Sequence, residues 1–240
     1  MSAHSVRNTL PQIDFEAVSK YYDTADGRQT VLHRGNFSIL FGTNFGIIGG
    51  RGSGKSTLMR LLAGLEYPSS GRIRRTGTVS WPLGRNAGFP THLTAEDHIR
   101  FICDLYALGY LEVRAFVAEF TGLGQHLKSE MTQYSSGMRG RLMFALSLAA
   151  PFDFYLIDEG VRAGEKDFQR SVDTALVKRN LTSTLVIVSG SEQLIRQYCA
   201  RIGVLSEGRL QVFDNVEDGL VHFRQVERQR LRNASRSGAK

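Results

Sequence analysis

Gly49, Gly54, Lys55 and Ser56 lie within residues 44–65, NFGIIGGRGSGKSTLMRLLAGL, at the spacing G-x-x-x-x-G-K-[ST]. The absent glycine side chains let successive backbone N–H groups converge on an anion. Lys55 adds a full positive charge, and the Ser56 hydroxyl is placed to ligate a divalent cation such as Mg²⁺. Gly49, Gly50, Arg51, Gly52, Ser53, Gly54, Lys55, Ser56 and Thr57 are therefore candidate phosphate contacts, with Thr57 a secondary donor. A bare glycine turn could also precede a helix. The strand-like residues before the loop and the Leu58, Leu61, Leu62, Leu65 stripe after it supply the context in which unpaired N–H groups and a helix dipole hold phosphate.

Two acids end the apolar run at residues 152–159, FDFYLIDE, as a buried parallel strand would deliver them to its carboxyl edge. Asp158 is a candidate Mg²⁺ ligand through water, and Glu159 could orient or deprotonate an attacking water. Neighbouring strand residues face opposite ways, which suits two different roles. Ser135, Ser136 and Gly137 open a helix whose apolar face includes Leu142, Ala145, Leu146 and Ala149. The serines either cap that helix or serve as anion donors. Tyr22, preferred over Tyr21, could pack or could stack on an adenine ring.

Further elements must carry these residues. The pattern IDFEAV from Ile13 and residues 31–40 read as strands, with residues 20–23 between them ending in a turn at 25–29. Residues 67–71 form a turn ahead of short strand pieces around Ile73 and Val79. Helix signals begin at residues 94–97 and recur through Ile99, Ile102, Cys103 and Tyr106, and residues 112–120 form another helix. After the acidic run come a helix over residues 166–178, a strand over 183–188 and a helix over 193–199. A hairpin then joins residues 202–205 to 209–213 through Glu207 and Gly208, and a final amphipathic helix from about residue 215 turns Leu220 and Phe223 inward. Strands alternating with helices imply a mainly parallel sheet covered on both faces.

Composition narrows the class. The 240 residues suffice for a substantial core, and the net charge of +7 is concentrated towards the end, at Arg224, Arg228, Arg230, Arg232, Arg236 and Lys240. A solvated tail is the reading preferred over a contact with anionic lipid. Only Cys103 and Cys199 occur, each in an apolar helical pattern, which suggests neither a disulfide framework nor a zinc site. The first residues lack a signal-peptide core, and no apolar run reaches the length of a membrane span.

The order of phosphate loop, serine–glycine motif and acidic strand resembles the ABC-type ATPase cassette from about Phe15 to Phe223. The strings Ser80-Trp81-Pro82-Leu83-Gly84, Tyr134-Ser135-Ser136-Gly137-Met138-Arg139 and Gln197-Tyr198-Cys199 resemble the ATP-binding subunits that export capsular polysaccharide. The resemblance implies an α/β fold: a P-loop ABC-type ATPase core with antiparallel β elements and an inserted helical subdomain at about 90–150. It also implies a single domain over 13–232, between a flexible N-terminus at 1–12 and a basic flexible tail at 233–240.

Residue by residue, Tyr22 falls where an aromatic stacks on adenine, residues 49–57 on the phosphate loop, Asp158 on the Mg²⁺ acid and Glu159 on the catalytic carboxylate. Ser135, Ser136 and Gly137 match the signature, which in such cassettes faces the γ-phosphate held by a second copy. The implied ligands are ATP and Mg²⁺, and the implied partners are an integral-membrane permease and a homodimer or paired cassette. The expected setting is the cytoplasmic face of the bacterial inner membrane, with the polysaccharide handled by the permease complex and no nucleic-acid role.

Three positions depart from the pattern. Gly190 stands where the family has a γ-phosphate-contacting histidine, Pro90 where it has a Mg²⁺-sensing glutamine, and Glu165, after Arg162-Ala163-Gly164, where it has an aspartate. Slow hydrolysis, or a nucleotide-gated regulatory module with weak or absent hydrolysis, is the alternative these raise. His92, close to Pro90, is read as an ordinary surface histidine rather than a substitute.

Overall fold

The computed structural model describes residues 10–25, 27–83, 89–158 and 166–237. Glu159, residues 162–165 and Gly84 lie outside them.

Alternating apolar residues build β1 (Gln12–Thr24), which buries Ile13, Phe15 and Val18 and pairs antiparallel with β2 (Gly27–Leu40). The break expected around residues 20–29 is much shorter. β1 runs on through Tyr22, which pairs with Gln29, so both tyrosines are strand residues. Register shifts along β1 locally increase its twist. A fully buried β3 (Phe45–Ile48) then feeds α1 (Lys55–Ala63), whose inner face is Thr57, Leu58, Met59, Leu61 and Leu62. Gly64, in the left-handed region at φ 73, ends the helix. Leu65 was expected to continue the apolar stripe, but it lies beyond this cap and is 66% exposed. β4 (Ser70–Arg75) completes a three-stranded antiparallel sheet in the order β2-β1-β4.

The helical layer begins with α2 (Ala95–Tyr106). Thr94 and Asp97 exchange side chain-to-backbone hydrogen bonds at its start, a capping box worth about 1 kcal/mol. α3 (Tyr110–Thr121) and α4 (Ser136–Ala149) follow, and α4 buries a continuous run from Leu142 to Leu148. Trp81 ties the segment before this layer to α4 by donating from Nε1 to Ser147 Oγ at 2.6 Å, with its ring edge-on to Phe152.

β5 (Phe154–Asp158), α5 (Lys166–Asn180), β6 (Thr184–Ser189) and α6 (Glu192–Tyr198) precede the hairpin of β7 (Arg201–Ser206) and β8 (Arg209–Phe213). α7 (Val216–Ser237) closes the chain, reaching into the stretch expected to be a tail. The second sheet has the order β5-β6-β3-β7-β8, parallel except for β8. Val79 and Leu83 make parallel bridges to β5, extending this sheet.

One core lies between the two sheets and α1, where Phe15 stacks on Phe37 at 4.2 Å and Phe37 on Phe45 at 6.3 Å. The other joins the helical layer to the parallel sheet through Leu142, Leu146, Tyr155 and Ile187. The buried Asn44, just before β3, crosslinks separate elements: its Nδ2 donates to the Tyr198 carbonyl at 2.8 Å and its Oδ1 accepts from Leu185 N at 2.8 Å. This places the Tyr198–Cys199 segment against β3, where burial pushes the Cys199 thiol up to about 12. Asn44→Ala strands both backbone partners, so chemical denaturation is expected to read a loss of about 2–3 kcal/mol, with the secondary structure retained at neutral pH.

Candidate nucleotide site

Turning the chain from β3 into α1 forces the backbone into conformations that glycine allows. Gly52 and Gly54 sit at φ 77 and φ 100, and a Cβ at Gly54 would strike the Val31 side chain. A Cβ at Gly49 would lie 2.5 Å from Ser53 Oγ and 2.6 Å from the Leu205 carbonyl. No side chain caps α1, so the N–H groups of its first turn face outward without a side-chain acceptor. Lys55 Nζ folds back to donate to the carbonyls of Gly49 and Gly50 at 2.7 and 2.9 Å. Ser53 Oγ is buried with no hydrogen-bond partner, a deficit of about 1–3 kcal/mol that a phosphate oxygen would remove. Orphan donors, a cradle with no room for a Cβ at Gly49, Gly50 or Gly54, and a nearby ammonium together fit a polyphosphate.

The loop residues 49–57 line a cavity of about 570 Å³ together with Tyr22, Val31, Gly190 and Phe223. Tyr22 enters from β1, and its hydroxyl donates to Glu66 Oε1 at 2.5 Å, lies 3.2 Å from Thr57 Oγ1 and accepts from Arg60 Nη2 at 3.0 Å. Thr57 also accepts from Arg60 at 3.1 Å. Its hydroxyl therefore belongs to this part-buried network, and a role as secondary phosphate donor would compete with it. Burial alone would raise the Glu66 carboxyl, but hydrogen bonds from Lys20, Tyr22 and Arg60 outweigh it and hold the group down at about 2.

The parallel sheet sets the remaining geometry. β6 lies between β3 and β5, with Ile48 opposite Ser189 and Asp158 opposite Val188. Asp158 therefore reaches the same sheet edge as the loop, two strand spacings or about 10 Å across, and is buried there. Gly190, directly after β6, lines the cavity and offers it no side chain. Pro90 and His92 are exposed and do not line it. Instead the Pro90 carbonyl is 3.0 Å from Nε2 of His98, whose ring is buried edge-on to Phe89; burial pushes this imidazole below its ordinary value. Ser135 caps α4 by accepting from Met138 N at 3.2 Å, and Ser135, Ser136 and Gly137 are exposed and outside the cavity lining.

α7 contributes residues that sequence spacing did not reveal. Phe223, read as an inward core residue, lines the nucleotide cavity. Arg230 donates from Nη2 to the Arg51 carbonyl at 2.7 Å, and Glu227 occupies the space a Cβ at Gly50 would need. Their only signal was the helix amphipathicity, which cannot tell a core neighbour from a site neighbour. Arg224, counted with the basic tail, pairs with Glu192 at 3.4 Å.

A strand–loop–helix cradle on a parallel sheet, with an acid at the same edge, defines a P-loop nucleotide-binding protein. The chain belongs to the ABC transporter family, whose sequence pattern matches residues 32–162. It is 41% identical over 211 residues to the capsule polysaccharide export ATP-binding protein CtrD of Neisseria meningitidis serogroup B, covering 88% of this chain and 98% of that protein. It is 38% identical over 217 residues to the polysialic acid transport ATP-binding protein KpsT of Escherichia coli, covering 88% of this chain and 98% of that protein. The fold is shared with a dimeric, post-hydrolysis ATP-binding cassette bound to ADP and Pi: TM-score 0.72, 20% identity, 84% of this chain and 97% of that one.

The depressed Glu66 carboxyl makes a prediction about acid stability. The folded state binds fewer protons than the unfolded chain between pH 4.5 and about 2, so this stabilisation is full above that window and is lost as pH falls through it. Thermal melts of wild type and Glu66→Gln across the window are expected to converge towards its acid end, the wild type falling more steeply.

Proposed function

We propose that this chain is the ATP-binding subunit of an exporter. Two cassettes pair head to tail around ATP, and binding and hydrolysis drive a capsular or related polysaccharide outward through a separate integral-membrane permease. The polysaccharide and the permease are suggested by the printed functions of the relatives. No described helix is long and apolar enough to cross a membrane, in keeping with a peripheral subunit at the cytoplasmic face of the inner membrane.

The single observation carrying the paired arrangement is the separation within one chain of the phosphate cradle from the exposed serine–glycine helix start. A helix N-terminus with serine donors completes an anion site when a second copy brings its triphosphate. Lys55 exchanges its loop carbonyls for phosphate oxygens, and residues 49–54 supply backbone donors. Ser56 and Asp158 would hold Mg²⁺, which would neutralise phosphate charge when bound. Glu159, next in the chain after β5, takes a proton from the attacking water. The Tyr22 ring forms the platform for the base.

Gly190 in the cavity wall supports the second reading, a nucleotide-gated module with weak hydrolysis. A missing polar contact in the transition state slows phosphoryl transfer by roughly one to three powers of ten. Gly190→His is therefore expected to raise kcat in a phosphate-release assay by at least about tenfold. An unchanged kcat would remove that explanation of slow turnover.

Glu159→Gln is expected to accumulate as a dimer in Mg·ATP by size-exclusion chromatography. Adding Ser136→Arg should return it to monomer. Dimer formation that ignores Ser136→Arg would sink the head-to-tail arrangement. Lys55→Ala should weaken ATP binding by about tenfold or more, as expected for losing a charge-assisted hydrogen bond.

A further inference from the structure

Behind the Tyr22 ring, outside the cavity wall, lies a cluster that the proposed chemistry does not use. Lys20 and Tyr22 are two residues apart on β1 and share a face of the strand. Glu66 sits just past the Gly64 cap of α1, and Arg60 lies on the last turn of that helix. Glu66 Oε1 accepts from Lys20 Nζ at 2.7 Å and from the Tyr22 hydroxyl at 2.5 Å, while Oε2 accepts from Arg60 Nε at 2.8 Å. Arg60 Nη2 then returns to the Tyr22 hydroxyl and to Thr57. Lys20 Nζ also donates to the Tyr67 carbonyl at 3.0 Å and stands 4.9 Å from the Tyr22 ring centroid, a cation–π contact.

The cluster stabilises the fold through the Glu66 carboxylate, but its Arg60 side chain is 43% exposed, so solvent screens part of that attraction. The Tyr22 hydroxyl meets Glu66, Arg60 and Thr57, and the Glu66 carboxylate in turn is held by Lys20 and Arg60, so the cluster bears on the tilt of one ring. These bonds also join that ring to Thr57 and Arg60, on the helix that begins with Lys55 and Ser56. An aromatic ring held in place before binding loses less rotational freedom when a base stacks on it, so preorganisation appears as affinity.

We propose that Glu66, with Lys20 and Arg60, is a positioning residue that fixes Tyr22 as the base platform. This rests on the reading of Tyr22 as the base-stacking residue. Glu66 acts through Tyr22 and touches no nucleotide atom itself. It therefore affects recognition of the base and leaves the triphosphate contacts alone.

Equilibrium binding of Mg·ATP and of magnesium tripolyphosphate, which has no base, separates the two subsites on the full chain. Base–aromatic stacking is worth about 1–3 kcal/mol, so Tyr22→Ala is expected to weaken Mg·ATP by about tenfold or more, and Glu66→Gln by about three- to tenfold. Tripolyphosphate affinity should stay unchanged in both, and in steady-state ATPase assays the Glu66→Gln effect should fall on KM. Tyr22→Phe removes the anchored hydroxyl and keeps the Lys20–Glu66–Arg60 ion pairs; it is expected to match Glu66→Gln and keeps the comparison if that variant does not fold.

If Glu66→Gln or Tyr22→Phe weakens both ligands equally, the cluster serves the loop or the fold and the proposal is overturned. If Tyr22→Ala weakens Mg·ATP while Glu66→Gln and Tyr22→Phe bind it normally, the platform stands and the positioning role fails. If Tyr22→Ala itself leaves Mg·ATP binding unchanged, the platform reading fails and takes the proposal with it.

Discussion

The structure depends on leaving backbone N–H groups unpaired at one edge of a parallel sheet. Buried polar groups are normally satisfied, so the turn from β3 into α1, with its uncapped helix start and solitary Ser53 hydroxyl, carries a standing cost. The two cores around it hold it in place. α1 is trapped between the antiparallel and parallel sheets by Leu58, Leu61 and Leu62, and β3 has a parallel neighbour on each side. Within the loop, Ser53 N donates to the Gly50 carbonyl at 3.2 Å and Lys55 folds over the carbonyls of Gly49 and Gly50, while the Ser53 hydroxyl stays without a partner. These donors fit the acceptors of a polyphosphate.

Parallel topology also brings together residues distant in sequence. Because β6 separates β3 from β5, the loop and Asp158 share an edge with room between them, and the residue after β6 stands between the two. In this chain that residue is Gly190. A wall position that could hold a polar side chain therefore contributes only backbone, while the cradle itself keeps every element it needs. Tight nucleotide binding and modest hydrolysis are compatible on physical grounds, since binding relies on the loop and turnover on groups aimed at the transition state.

The helical layer carries its serine–glycine start on the surface, away from the cavity of its own chain. Ser135 does cap α4, so the modest reading of that residue holds, but capping uses its acceptor and leaves exposed Ser136 and Gly137 at a positive helix end. Capping and anion binding are therefore compatible at this helix start. α7 adds a further constraint, since Arg230 and Glu227 rest on the loop segment at Gly50 and Arg51 and link the end of the chain to the cradle.

The phosphate loop, the helix it opens, the acidic strand, the Thr94 cap and the β7–β8 hairpin were all legible in the residues, because each is encoded by local spacing. Glycine placement, apolar periodicity and capping chemistry act over a few positions and need no distant partner. Tertiary structure decided what local signals do not carry. It extended β1 through Tyr22 by pairing with β2, exposed Leu65 by ending α1 at Gly64, and turned Thr57 towards Tyr22 and Arg60. It also brought Phe223 and Arg230 to the site. Periodicity states which face of a strand or helix is apolar, while the identity of what that face meets depends on contacts between residues far apart along the chain, and these exist only once the sheets have closed around α1.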